Sequence, residues 1–226
     1  MSVTYANFKH WVTGKQAIMI VGSDGRISTA PTENTEIPEG AIDLGGKTMM
    51  PKFIDAHCHI LPTGLDMQKL NLSSCGSKSE VLDAVRDEAA QSDREWILAV
   101  QYDQNKFADG QNITRQELDA ISETRPILLR HYNGHCSVAN TEVFRQLQID
   151  ANTPDPSGGI YERDASGELT GFVTESAHDR IWAGTPAPTL EDMIAGIDAA
   201  AQSMASMNIG CASDMMTGRF DLEKEL

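Results

Sequence analysis

The sequence predicts an α/β fold: a parallel sheet covered by helices, preceded by a short β segment. Three observations predict it. After Pro51, short apolar runs of strand length recur without alternation, as in strands buried on both faces. Several of these runs are followed by stretches that open on helix caps and carry a helical apolar stripe. Before Pro51, turn signals separate short apolar runs and no helical stripe is present. Strands and helices in series stack as right-handed βα units, in a doubly wound sheet or a barrel.

The elements follow in order. Ala17-Ile18-Met19-Ile20-Val21 reads as a strand, Asp24-Gly25 as a turn, and Arg26-Ile27-Ser28 as the returning strand of a hairpin. Ile42-Asp43-Leu44, Gly45-Gly46 and Thr48-Met49-Met50 read as strand, turn and strand. Residues 1–50 are too short and Gly-rich for a core of their own and should lean on something else. Beyond them, 52–57, 96–101, 126–131 and 209–213 are the four strands expected in the parallel sheet. Ser77 with Glu80 and Thr114 with Glu117 form capping boxes, the first ahead of a stripe of Val81, Leu82, Val85 and Ala89. Asn140 or Thr141 opens a helix through Leu147, and 160–163 with 169–173 form a hairpin. Thr189 caps the longest helix, whose Met193, Met204 and Met207 are core filler. Residues 220–226 read as the start of a further helix.

Composition excludes some functions. Hydrophobic residues make up 40% and charged residues 23%, an ordinary globular balance. A net charge of −15 argues against a nucleic-acid or anionic-membrane partner, since both need concentrated positive charge. No run approaches the ~20 apolar residues of a membrane span. The first residues lack the basic and apolar regions of a signal peptide, so a cytoplasmic setting is expected. Cys58, Cys75, Cys136 and Cys211 are scattered and read as free thiols.

The strongest chemical feature is Asp55-Ala56-His57-Cys58-His59. Side chains alternate along a strand, so His57 and His59 point the same way and Cys58 the other. Two imidazoles at the end of a strand can converge on Zn²⁺ or another borderline divalent ion. A pair of surface histidines is the alternative.

Met50-Pro51-Lys52-Phe53-Ile54-Asp55-Ala56-His57-Cys58-His59 resembles the first barrel strand of the amidohydrolase superfamily, written P-G-x-I-D-x-H-x-H, with Lys52 in place of the usual Gly. Four further segments, in order, resemble its amidohydrolase 3 group, which includes enzymes like N-substituted formamide deformylase. They are Trp96-Ile97-Leu98 through Tyr102-Asp103-Gln104; Thr114 through Asp119; Gly134-His135 with Asn140; and Gly171-Phe172-Val173-Thr174-Glu175.

The resemblance implies a (β/α)8 barrel, of which 51–226 is about the first half, with 1–50 the N-terminal part of a small composite β domain. It implies a hydrolase of non-peptide amide or formamide bonds in which metal-activated water attacks the carbonyl. It makes His57 and His59 metal ligands and Glu175 a candidate bridge between ions. The cofactor is one or two divalent ions, zinc before manganese or iron. His135, Asp103 and Asp214 are candidates for substrate contact; for Asp103 a loop-capping role is open, and for Glu175 an exposed strand end. His131 reads as a satisfied strand-end histidine, and His10 and His178 as surface residues. Further metal-binding histidines and the general base are expected in a missing C-terminal part, so the chain reads as truncated and inert alone. A complementary half or a homo-oligomer is the expected protein partner, and a small amide the substrate. A non-catalytic metal-binding fragment or half of a split enzyme is the alternative.

Overall fold

In the computed structural model, which describes residues 1–221 and 223, most apolar runs and caps become the expected elements. The helix start expected at 220–226 lies largely outside the described residues. The chain divides into two units, Met1–Asp55 with Asn208–Cys211, and Ala56–Met207 with Ala212–Leu226.

The first unit holds a five-stranded sheet. Its strands are β1 (Val3–His10), β2 (Gln16–Val21), β3 (Ile27–Glu33), β4 (Ile42–Asp43) and β5 (Thr48–Met49). β2 lies antiparallel between β1 and β3, and β4 and β5 run parallel to β1. Gly25, at a φ of +78°, makes the expected hairpin turn at no steric cost. A bulge interrupts β1 at Asn7, whose φ is +54°. Asparagine tolerates that conformation. Its side chain is fixed from both ends, Nδ2 donating to Asp43 Oδ1 (2.6 Å) and Oδ1 accepting from Gln16 (2.8 Å). The buried core of this sheet is Phe8, Ala17 and Met19.

The second unit is built on a six-stranded sheet. Its strands are β7 (Leu70–Asn71), β8 (Ile97–Tyr102), β9 (Ile127–His131), β10 (Cys136–Ala139), β11 (Gly159–Arg163) and β12 (Leu169–Glu175), in the order β11-β12-β10-β9-β8-β7. On it pack α2 (Lys78–Gln91), α3 (Arg115–Asp119), α4 (Thr141–Gln146) and α5 (Ser176–Ala183), while α1 (Ile60–Met67) and α6 (Leu190–Ser206) pack on each other. Side-chain alternation divides the buried residues between two cores. Ile127 and Leu129 of β9 join Val81 and Val85 of α2 and Ile97 of β8; Leu128 joins Val143 of α4, Val173 of β12 and Ile181 of α5. Each such side chain contributes about 1.5–3 kcal/mol on burial.

Two caps are complete. Thr114 with Glu117 and Thr189 with Asp192 satisfy backbone donors reciprocally. Ser77 accepts from Glu80 N as expected, but the Glu80 carboxylate reaches Gly76 N (2.6 Å), one residue earlier.

The single parallel sheet expected from the sequence is corrected. β7, β8 and β9 are parallel, but β10 is antiparallel to β9 and β12, and β11 to β12. A parallel pair needs a crossover of a dozen residues or more, whereas the link from β9 to β10 is a tight turn through Gly134 (φ +77°). The remaining expected strands, now β6 (Phe53–Cys58) and β13 (Ile209–Asp214), form a separate two-stranded sheet. Phe53 N donates to Asn208 O at one end and Met215 N to Cys58 O at the other, so the two strands run the same way. Nor is β6 buried on both faces: Phe53 and Ile54 are 57% and 71% exposed, because β6 has β13 as its single strand neighbour among the described residues.

Candidate metal centre

The His-x-His segment ends β6 and leads into α1. The His57 and His59 ring centroids lie 5.6 Å apart. A zinc–nitrogen bond of about 2.1 Å places two rings on one tetrahedral ion with centres about 5 Å apart, so the observed spacing suits a shared ion. Cys58 between them turns elsewhere, its thiol donating to Ser213 O at 3.4 Å. His59 Nδ1 is buried and has no hydrogen-bond partner among the described residues. A buried, unmatched imidazole nitrogen is costly unless something accepts its lone pair or its proton. A divalent ion fits that requirement, and His57 and His59 would hold it.

Asp214 ends β13 beside this segment. Its carboxylate accepts from Thr217 Oγ1 (2.7 Å) and from Ile60 N (3.0 Å), the first residue of α1. The Thr217 hydroxyl, then the Ile60 and Met216 N–H groups and the nearby His59, hold it below the usual carboxylate range. Asp214 thus anchors the start of α1, where the chain leaves His59.

The expected trio of His57, His59 and Glu175 does not assemble. Among the described residues no three His, Cys, Asp or Glu side chains form a metal-holding group. Glu175 ends β12, in the six-stranded sheet, whereas the histidines end β6, in the other. Glu175 instead lies 3.2 Å from His135 Nδ1, with both side chains more than half exposed. Its N–H donates to the His135 carbonyl at 2.7 Å, and its φ of +50° is a conformation that favours glycine.

The other expected residues fall in different places. Asp103 directly follows β8, where its Oδ1 accepts from Asn105 N and Nδ2, both at 3.0 Å; this is the loop-capping role. His131 is buried, its Nδ1 accepting from Asn133 N at 3.3 Å, with Nε2 unpartnered and 3.8 Å from Asp103 Oδ1. It is therefore only half satisfied.

His178, read as a surface residue, is corrected. It is 3% exposed, on the inner side of α5 with Ala177 and Ile181, and its Nδ1 lies 2.8 Å from the buried Ser137 hydroxyl. Burial pushes its pKa down. The helix around it was not legible, because its single turn of apolar residues follows a strand without a capping side chain.

A cavity of about 640 Å³ opens at His59. Its wall includes Lys69, Arg130 and Trp182, none of which the sequence singled out. Lys69 Nζ lies 4.9 Å and Arg130 Cζ 4.7 Å from the Trp182 ring centroid. Both cations pair with Asp66. The only signal in the sequence was an arginine ending an apolar strand, Ile127-Leu128-Leu129-Arg130. His135, Asp103, Asp214 and Glu175 do not line this cavity.

The chain is 33% identical over 146 residues to a putative amidohydrolase, YtcJ, of Bacillus subtilis, covering 64% of this chain and 28% of that protein. It is 31% identical over 180 residues to the N-substituted formamide deformylase of Arthrobacter pascens, covering 74% of this chain and 33% of the relative. The chain thus spans about a third of these relatives. Its fold matches the crystal structure of an uncharacterized metal-dependent hydrolase from Pyrococcus horikoshii, with a TM-score of 0.66 and 20% identity over 96% of this chain and 43% of the other. No helix among the described residues is long and apolar enough to cross a membrane. The sequence profile of the amidohydrolase family matches residues 40–224. On that match, the chain belongs to the amidohydrolase family, a family of hydrolytic enzymes.

Proposed function

We propose that this chain carries the first metal-binding strand of a hydrolase that cleaves carbon–nitrogen bonds of the amide or formamide type. The observation that carries the reading is the His57–His59 pair at the end of β6, with His59 Nδ1 buried and unmatched. Zinc is the ion that best suits imidazole donors of this spacing, with manganese or iron as alternatives. Such an ion, when bound, lowers the pKa of a coordinated water toward neutrality. The chain's own residues hold and orient. His57 and His59 supply two donors, and Asp214 fixes the turn into α1 that sets the direction of His59. His135, with Nδ1 facing the Glu175 carboxylate, keeps Nε2 for a substrate or a proton. Asp103 supports the adjacent loop.

In this reading β6 and β13 are parallel strands of a (β/α)8 barrel, the six-stranded sheet stands apart from it, and residues 1–50 are the N-terminal share of a small β domain. A catalytic zinc site takes three protein ligands and an open position. The described residues bring together two imidazoles, so hydrolysis needs donors from a complementary segment or a second copy. The chain alone then binds metal and turns over no substrate.

Equilibrium dialysis against zinc, with elemental analysis, tests the reading. The expected result is binding near one ion per chain that the His57→Ala/His59→Ala variant loses, with no hydrolysis of a simple N-alkylformamide. Zinc binding unchanged in the double variant, or absent from the parent chain, would overturn it. Turnover by the parent chain would keep the hydrolase and remove the claim of inertness.

A further inference from the structure

The chain carries a net charge of −15, yet the cavity beside His59 gathers cations. Lys69, Arg94 and Arg130 stand in its wall with Asp66, Glu95 and Asp192, and Arg219 adds a fourth positive charge. Two of the three acids, Asp66 and Asp192, are committed, and four cations face the three acids. Asp66 serves two cations, accepting from Lys69 Nζ at 2.7 Å and from Arg130 Nη2. Asp192 spends its Oδ2 on the Thr189 N–H (3.0 Å) and hydroxyl (2.8 Å) of its own helix cap.

Donors remain over. The Arg94 guanidinium has no hydrogen bond or ion pair among the described residues, and Arg130 Nε is buried without a partner. Lys69 Nζ makes one hydrogen bond of the three an ammonium can donate. The Trp182 ring steadies both Lys69 and Arg130 through its π face, so the surplus cations are held in place. Burial, and then Arg130 and Arg94, pull the Lys69 pKa down against the opposing pull of Asp66. An anion would restore the balance.

We propose that this cavity is a carboxylate subsite, in which Lys69 and Arg94 hold the carboxylate of a small organic molecule and Asp66 and Trp182 keep Lys69 and Arg130 in position. Because the same cavity opens at His59, the substrate class is an amide that carries a carboxylate. Charge-assisted hydrogen bonds from fixed cations give such a subsite its selectivity, and about 640 Å³ suits a small-molecule ligand. The word substrate rests on the hydrolase reading above; the anion binding itself does not.

Tryptophan fluorescence of the metal-free chain tests it, since Trp96 and Trp182 line the cavity. The probes are N-acetylphenylalanine and its neutral amide, N-acetylphenylalaninamide, at constant ionic strength. The acid is expected to give a saturable change, with the amide about tenfold weaker or worse. Arg94→Gln, which removes a side chain with no partner to lose, is expected to weaken the acid about tenfold, and Lys69→Gln likewise. Equal response to acid and amide, no saturable response to the acid, or unchanged binding in both variants would overturn the subsite. Carboxylate selectivity without zinc binding leaves the subsite standing and sinks the hydrolase reading. Zinc binding without carboxylate selectivity does the reverse.

Discussion

Gly64 of α1 and Gly196 of α6 meet backbone to backbone: a Cβ on Gly64 would lie 1.9 Å from the Gly196 carbonyl oxygen. No side chain fits there. The contact lets Leu61 and Leu65 reach Met193, the small core that joins the two helices. α1 begins directly after His59, so this crossing also sets the helix that follows the candidate ligands. Gly64→Ala must push the helices apart and is expected to cost about 3 kcal/mol, the upper part of the range for overpacking. Urea unfolding checks this against Gly76→Ala, whose Cβ would meet nothing nearer than Glu80 Oε2 at 3.7 Å and should change stability by less than about 1 kcal/mol. Equal midpoints for the two variants would contradict the close contact.

Asn140 is fully buried, and its side chain makes four hydrogen bonds. Its Oδ1 accepts from Ile127 N (3.0 Å) and Val143 N (3.2 Å), and its Nδ2 donates to Ser122 O and Arg125 O, both at 2.9 Å. One side chain thus ties β9, the start of α4 and the loop after α3. Asn140→Ala leaves four backbone groups without their partner, at about 1–3 kcal/mol for each that stays dry, and is expected to cost at least about 4 kcal/mol in urea unfolding. Asn140→Asp should do no better, because a carboxylate would face two carbonyl oxygens. A loss below about 1 kcal/mol for Asn140→Ala would mean the network carries no weight.

His178 predicts how stability follows pH. Burial lowers its pKa; Arg130 and His135 push the same way, against Asp179 and a hydrogen bond to the Gly134 backbone. A histidine whose folded pKa is depressed favours the folded state while neutral. Its contribution is therefore complete above the ordinary value of about 6.5 and is lost as pH falls through the folded pKa. Melting temperature should drop between pH 7.5 and pH 5 in the parent chain, and less in His178→Asn, which can still bond the Ser137 hydroxyl. The same drop in both would assign the acid sensitivity to other groups.

Much of the local structure was legible from residue patterns. The apolar runs at 96–101 and 126–131, the Thr114 and Thr189 caps, and the hairpin of 160–163 with 169–173 all rest on short-range physics, and all stand in the structure. Which strands pair was not legible. The short run Cys136-Ser137-Val138-Ala139 shows no pattern of its own, yet as β10 it turns a parallel array into a mixed sheet.

By itself the sequence determined the family and the His57-Cys58-His59 pair, because a motif and strand alternation are properties of neighbouring residues. Only the tertiary structure decided what surrounds that pair. It placed Glu175 against His135 rather than beside His57 and His59, since their strands lie in different sheets. It buried His178 against Ser137, 41 positions away. It brought Arg130 to Asp66, 64 positions away, and the Trp182 ring under both Arg130 and Lys69. Contacts at such separations depend on sheet pairing and helix crossing, and no local pattern of residues encodes them.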